Sequence, residues 1–163
     1  MRNKSTLFFA QAAMIAAVYV VLTFVFAPIS FGEIQVRISE ALTILPVFTP
    51  AAVPGLFVGC LLGNMLSGAY LPDVIFGSLA TLLGAIGTRA LRNASPFLAP
   101  LPPIIANALI VPFVLRYTYG VALPIPLMML TVGVGEVISC GGLGLILYFT
   151  LGTRLKSIFR DNG

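Results

Sequence analysis

Glu33, Arg37 and Glu40 fall within eight residues of a chain in which only 9% of residues are charged. A fourth ion, Glu136, stands alone in the apolar stretch "VGVGEVISCGGLG". It lies about ten residues into an expected helical span near 125–156, roughly 15 Å from its outer end at 1.5 Å per helical residue. A carboxylate at such a depth in hydrocarbon costs on the order of 3 kcal/mol unless it is paired or hydrated, so it marks a candidate site. Dry carboxylates hold cations and N–H donors strongly, because charge-assisted hydrogen bonds gain most where water is excluded. Two other roles stay open for Glu136: a structural pair with Arg116, or a protonated carboxyl bonded to a backbone carbonyl. Gly133, Gly135, Gly141 and Gly142 thin the surrounding helix and permit close approach.

The remaining polar groups are few. Asn64 and Asn107 are amides inside apolar runs, Asn64 placed within reach of a site near Glu136 and Asn107 further away. Ser39 and Glu40 suit a helix N-terminus, with Arg37 as a solvated partner, as well as they suit a binding role. That local account does not cover Glu33. Phe31, Tyr70, Tyr117 and Tyr119 serve either as interfacial anchors or as stacking partners for a flat ligand, and Asp73 reads as a helix N-terminal acid. In "AQAAMIAAVYVV", Ala12 with Ala16 and Ala13 with Ala17 form small-residue stripes at spacing four, a pattern that lets another helix pack closely.

The elements that must position these groups follow from composition. Of 163 residues, 59% are hydrophobic, far beyond what a soluble domain of this length can bury. The expected solvent is a lipid bilayer. Uncharged runs of the length a crossing needs, cut where prolines and glycines break them, predict an all-α integral membrane protein. It has six spans, near 6–27, 39–49, 51–69, 72–92, 102–119 and 125–156, in a single domain covering 1–163. Seven of the nine basic residues then face the cytoplasm, leaving Arg37 and Arg116 outside; six spans also place both termini inside, as the positive-inside rule asks. The basic N-terminus followed by a long apolar stretch reads as a retained first span in the cell membrane. The bases are not clustered on one face, which argues against a nucleic-acid partner. Cys60 and Cys140 lie in apolar runs and are not expected to pair, histidine is absent, and no metal or cofactor is expected. There is no GxxxxGK[ST] phosphate loop, and no HExxH, CxxC or GxSxG, so neither ATP hydrolysis nor a familiar catalytic chemistry is expected of this chain.

The segments "APISFGEIQVRISEALTILP", "FTPAAVPGLFVGCLLGN", "DVIFGSLATLLGA", "LPPIIANALIVP" and "VGVGEVISC" resemble, in this order, the QueT family. These are substrate-binding S components of energy-coupling factor (ECF) transporters for queuosine precursors. The resemblance implies a compact six-helix S-component fold and a pocket facing outward, lidded by the loop after the first span. It implies three protein partners, namely a transmembrane coupling protein and two cytoplasmic ATPases, and a first helix whose Ala12, Ala13, Ala16 and Ala17 dock on the coupling protein. The ligand it implies is 7-aminomethyl-7-deazaguanine or a related base, for which Glu136, Glu40, Arg37, Asn64, Tyr117 and Phe31 are the candidate contacts. Glu136 would sit deep and Glu40 at the rim. The rival is a stand-alone proton-coupled transporter with Glu136 as its titrating group.

Overall fold

The computed structural model describes residues 4–30 and 36–160. Among them there are helices and no strands. The order is α1 (Lys4–Val25), α2 (Ala27–Ser30), a 3₁₀ helix (Ile38–Val47), α3 (Ala52–Leu66), α4 (Leu71–Ala90), a short 3₁₀ turn (Pro96–Leu98), α5 (Leu101–Thr118), α6 (Ile125–Glu136), a π-helical stretch (Val137–Leu143) and α7 (Gly144–Arg160). Four helical stretches are long and apolar enough to cross a membrane: Lys4–Val25, Leu71–Ala90, Pro96–Thr118 and Ile125–Thr150. Ile38–Val47 and Ala52–Leu66 are shorter apolar helices. All six expected spans thus have a helical counterpart near the expected boundaries, but two of them are not full crossings by length.

The second is the most unusual. Wound as a 3₁₀ helix at about 2.0 Å per residue, its ten residues reach about 20 Å, where an α-helix would reach about 15 Å. It runs from Ser39, whose Oγ accepts from Thr23 Oγ1 at 2.9 Å, to the level of Gln11, whose Oε1 accepts from Thr49 Oγ1 at 3.1 Å. Its last carbonyls, of Pro46 and Val47, accept from Arg89 at 3.0 and 3.4 Å, a cation closing the negative end of a helix. Ser39, Glu40, Thr43, Ile44, Leu45 and Pro46 are all buried, so this helix is an internal wedge. It packs against α1, α4, α7 and the π-helical stretch.

Around the wedge, α1 packs on α3, α3 on α4, α4 on α5 and α5 on α6. The first of these contacts is read from spacing. Gln11, Ile15, Tyr19 and Thr23 recur every four residues on α1 and are all buried, facing Gly55, Gly59 and Gly63 of α3. A Cβ on Gly59 would come 2.8 Å from Tyr19 Cβ and 3.1 Å from the Ala16 backbone, so only glycine admits the approach. Large apolar side chains such as Phe9, Met14, Phe24, Leu83, Ile105 and Leu130 point outward, while most buried polar groups gather inside. Polar inside and apolar outside is the arrangement a bilayer selects.

Candidate functional site

Seven elements bring the buried polar groups together, namely α1, the wedge, α3, α4, α5, α6 and the π-helical stretch, and the wedge supplies the centre. Glu40 is fully buried. Its Oε1 accepts from the Tyr19 hydroxyl of α1 and from Thr81 Oγ1 of α4 at 3.2 Å. Glu136, 2% exposed, ends α6 where the helix widens into the π-helical stretch. Cys140 follows four residues on, the spacing that puts two side chains on one helix face, and its thiol donates to Glu136 Oε2 at 3.1 Å. Cys140 also receives Thr43 Oγ1 at 3.3 Å and reaches the Glu40 carbonyl at 3.5 Å. One ligand atom from each of Glu40, Glu136 and Cys140 lies within 4.8 Å of the others, close enough to share one cation.

A second polar layer adjoins the first through Cys60 of α3. Its sulfur is approached by Thr81 Oγ1 at 3.4 Å, Asn64 Nδ2 at 3.6 Å and Arg37 at 3.7 Å. Arg37, 4% exposed, donates to Asn64 Oδ1 at 2.6 Å. Asp73 is buried too and accepts from the Tyr119 hydroxyl at 2.8 Å. Gly77 lies under both residues: a Cβ there would come 3.1 Å from Asp73 Oδ1 and 3.3 Å from Asn64 Nδ2. The site is therefore a cationic layer, Arg37 among amide and carboxylate, stacked on an anionic one built from two glutamates.

This geometry corrects several expectations. Glu40 is not at a rim; it is as buried as Glu136 and shares its level, because the wedge enters the bundle instead of capping it. Arg37 is not a solvated partner, and Ser39 makes no N-terminal cap. Arg116 does not pair with Glu136: it is exposed and donates to the Val121 carbonyl at 3.0 Å. Tyr117 is 78% exposed and lines an apolar groove of about 530 Å³ between α4 and α5 with Phe76 and Phe113, away from the carboxylates. Asn64 meets Arg37, and it is Asn107 that lies beside Glu136. Asp73 is more than a helix-terminal acid. Phe31 and Glu33 lie outside the described residues. Of the alanines, Ala16 is buried and its backbone, with that of Ala12, meets Gly59 and Gly55, whereas Ala13 and Ala17 face outward. Ala12, Ala13 and Ala16 also line an outer groove with Phe8, Phe9, Pro54 and Val58. Tyr19, Cys60, Thr81 and Cys140 were missed as site residues; for Tyr19 the spacing of four from Gln11 to Thr23 was the available signal.

A family model described as QueT transporter matches residues 9–153. The chain belongs to the QueT transporter family. Its match therefore takes in every part of the buried cluster, from Tyr19 to Cys140. The Queuosine precursor transporter QueT of Lactococcus lactis subsp. cremoris (strain MG1363) is 36% identical over 85 residues, which is 51% of this chain and 50% of that protein. The chain thus matches about half the length of this QueT relative. No solved structure matches it.

Proposed function

We propose that this chain is the substrate-binding membrane subunit, an S component, of an ATP-driven ECF importer in the cell membrane. It captures a queuosine precursor, 7-aminomethyl-7-deazaguanine or a related base, from outside and delivers it to the cytoplasm. The observation that carries the reading is the pair of buried carboxylates, Glu40 and Glu136, within 4.8 Å of each other inside an apolar bundle. Two acids so placed are expensive unless a cation or several donors join them, and a cationic base supplies both. Arg37 and Asn64, one layer away, are available to the far side of the ring. The six-span topology with both termini inside, and the single domain, belong to this proposal.

Energy must come from elsewhere, because the chain has no nucleotide-binding motif. A transmembrane coupling protein and two cytoplasmic ATPases supply it, and the outward Ala13 and Ala17, beside the groove at Phe8 and Phe9, give the coupling protein a surface of small residues on which to dock. The same carboxylate pair favours one other reading, a proton-coupled carrier that cycles a proton through Glu136. Reconstitution separates the two. Proteoliposomes holding only this chain should bind the base but accumulate none of it under a proton gradient, and accumulation there would refute the subunit reading.

A further inference from the structure

One exposed cation stands at an end of the bundle that otherwise keeps its bases hidden. Lys4, Arg89, Arg92 and Arg154 lie at the end where α1 begins, α4 finishes and α7 runs out, whereas Arg116 closes α5 at the opposite end. Arg37, the other base described toward that end, is buried. Arg116 is therefore the one exposed base there among the described residues, on the side where the topological bias disfavours a base. Within the chain it donates through Nη1 to the Val121 carbonyl at 3.0 Å, which ties the following loop to the end of α5. A guanidinium has five N–H donors in a fork suited to phosphate, so that tie leaves most of it uncommitted. Asp73, the acid described at the same end, is buried and bonded to Tyr119.

Arg116 borders the apolar groove of about 530 Å³ between α4 and α5. Leu109, Phe113 and Arg116 recur at spacings of four and three, which aligns them along one side of α5. Leu109 and Phe113 line the groove with Phe76 of α4 and with Tyr117, and no lining side chain carries a charge. All four are exposed, so the groove faces lipid. The packing order places α3 between α1 and α4, so the groove is not on the α1 face assigned to the coupling protein. An apolar trough ending beside a cation matches a single lipid molecule, with a chain along the trough and an anion at its end. A zwitterionic headgroup would bring its own cation to Arg116 and gain less. We propose that the α4–α5 groove is a site for an anionic phospholipid of the surrounding bilayer, its acyl chain against Phe76, Leu109 and Phe113 and its phosphate held by Arg116. Tyr117 then sits at headgroup level, the usual place of an interfacial tyrosine.

The chain has no tryptophan, so Phe113→Trp puts a single fluorescent reporter in the groove. Phe24→Trp puts one on the outward face of α1 at the same end of the bundle. Each full-length variant is placed in phosphatidylcholine nanodiscs with rising fractions of phosphatidylglycerol or phosphatidylcholine brominated on an acyl chain, and quenching is read. At Phe113→Trp, phosphatidylglycerol should reach half-quenching at about one fifth of the fraction phosphatidylcholine needs, the preference one base near a membrane surface confers. At Phe24→Trp the two lipids should quench alike. Added to the Phe113→Trp reporter, Arg116→Gln should make the two lipids equal, Arg116→Lys should keep the preference, and Arg92→Gln, at the far end, should leave it unchanged. Equal quenching by the two lipids at Phe113→Trp, or a preference that survives Arg116→Gln, would overturn the proposal. The same preference at Phe24→Trp would reduce it to general surface charge. Absence of quenching by either lipid would show that protein covers the groove, and would overturn it as well.

Discussion

Glu40→Gln separates a ligand-holding role from a structural one, because the structure gives the two roles opposite signs. Glutamine keeps an Oε1 that can accept from Tyr19 and Thr81, so the loss there is the charge-assisted part of two bonds, about 1 kcal/mol. Against that loss, two carboxyl groups within 4.8 Å cannot both ionise cheaply in a dry interior, and the substitution removes that conflict from the unliganded protein. The variant should unfold at the same temperature as the parent or a higher one. Its affinity for a cationic base should fall, since removing one side of a buried charge pair costs about 2–5 kcal/mol, about thirtyfold to several thousandfold. A rim position, where a charge contact is worth about 0–1 kcal/mol, would instead give at most about a fivefold change. Thermal unfolding monitored by circular dichroism, with calorimetric titration of 7-aminomethyl-7-deazaguanine, reads both quantities. A marked drop in unfolding temperature with affinity intact would refute the argument and make Glu40 a structural acid.

The other predictions use the same geometry. Ala13→Leu or Ala17→Leu should leave ligand binding unchanged and lower uptake in vesicles containing the complete importer, because these side chains face outward; equal loss of both would show that they pack within this chain. Gly59→Leu should destabilise the fold by several kcal/mol, since even a Cβ there meets Tyr19 at 2.8 Å and overpacking alone costs about 1–3 kcal/mol; an unfolding temperature within a degree of the parent's would contradict the packing described. Tyr119→Phe and Asp73→Asn should each cost about 1–2 kcal/mol and the double variant no more than the larger single one, because they share one 2.8 Å bond. Additive losses in that double-mutant cycle would show that the bond contributes nothing.

Much of this protein was legible from its residues. Apolar run length, proline and glycine breaks and the positions of the bases gave helices within a few residues of those observed, because a bilayer leaves the backbone no option but internal hydrogen bonding. Glu136 could be selected because a carboxylate inside an apolar run is too costly to be accidental, whereas Glu40, at the edge of its run, was singled out through the family resemblance and expected at the rim. What the residues could not tell was depth and company. A ten-residue segment containing Pro46 gave no sign that it would wind as an extended 3₁₀ helix, enter the bundle and carry Glu40 to the level of Glu136. Only the packed helices decide that. Likewise the hydrophobic pattern of an apolar helix is nearly featureless, so which side of α1 faces α3 depends on the glycines it meets, and those sent Tyr19 and Ala16 inward and left Ala13 and Ala17 outside. The placing of Asn107 instead of Asn64 at the Glu136 carboxylate belongs to tertiary structure for the same physical reason: local sequence sets which groups are polar, and the meeting of helices sets which polar groups meet.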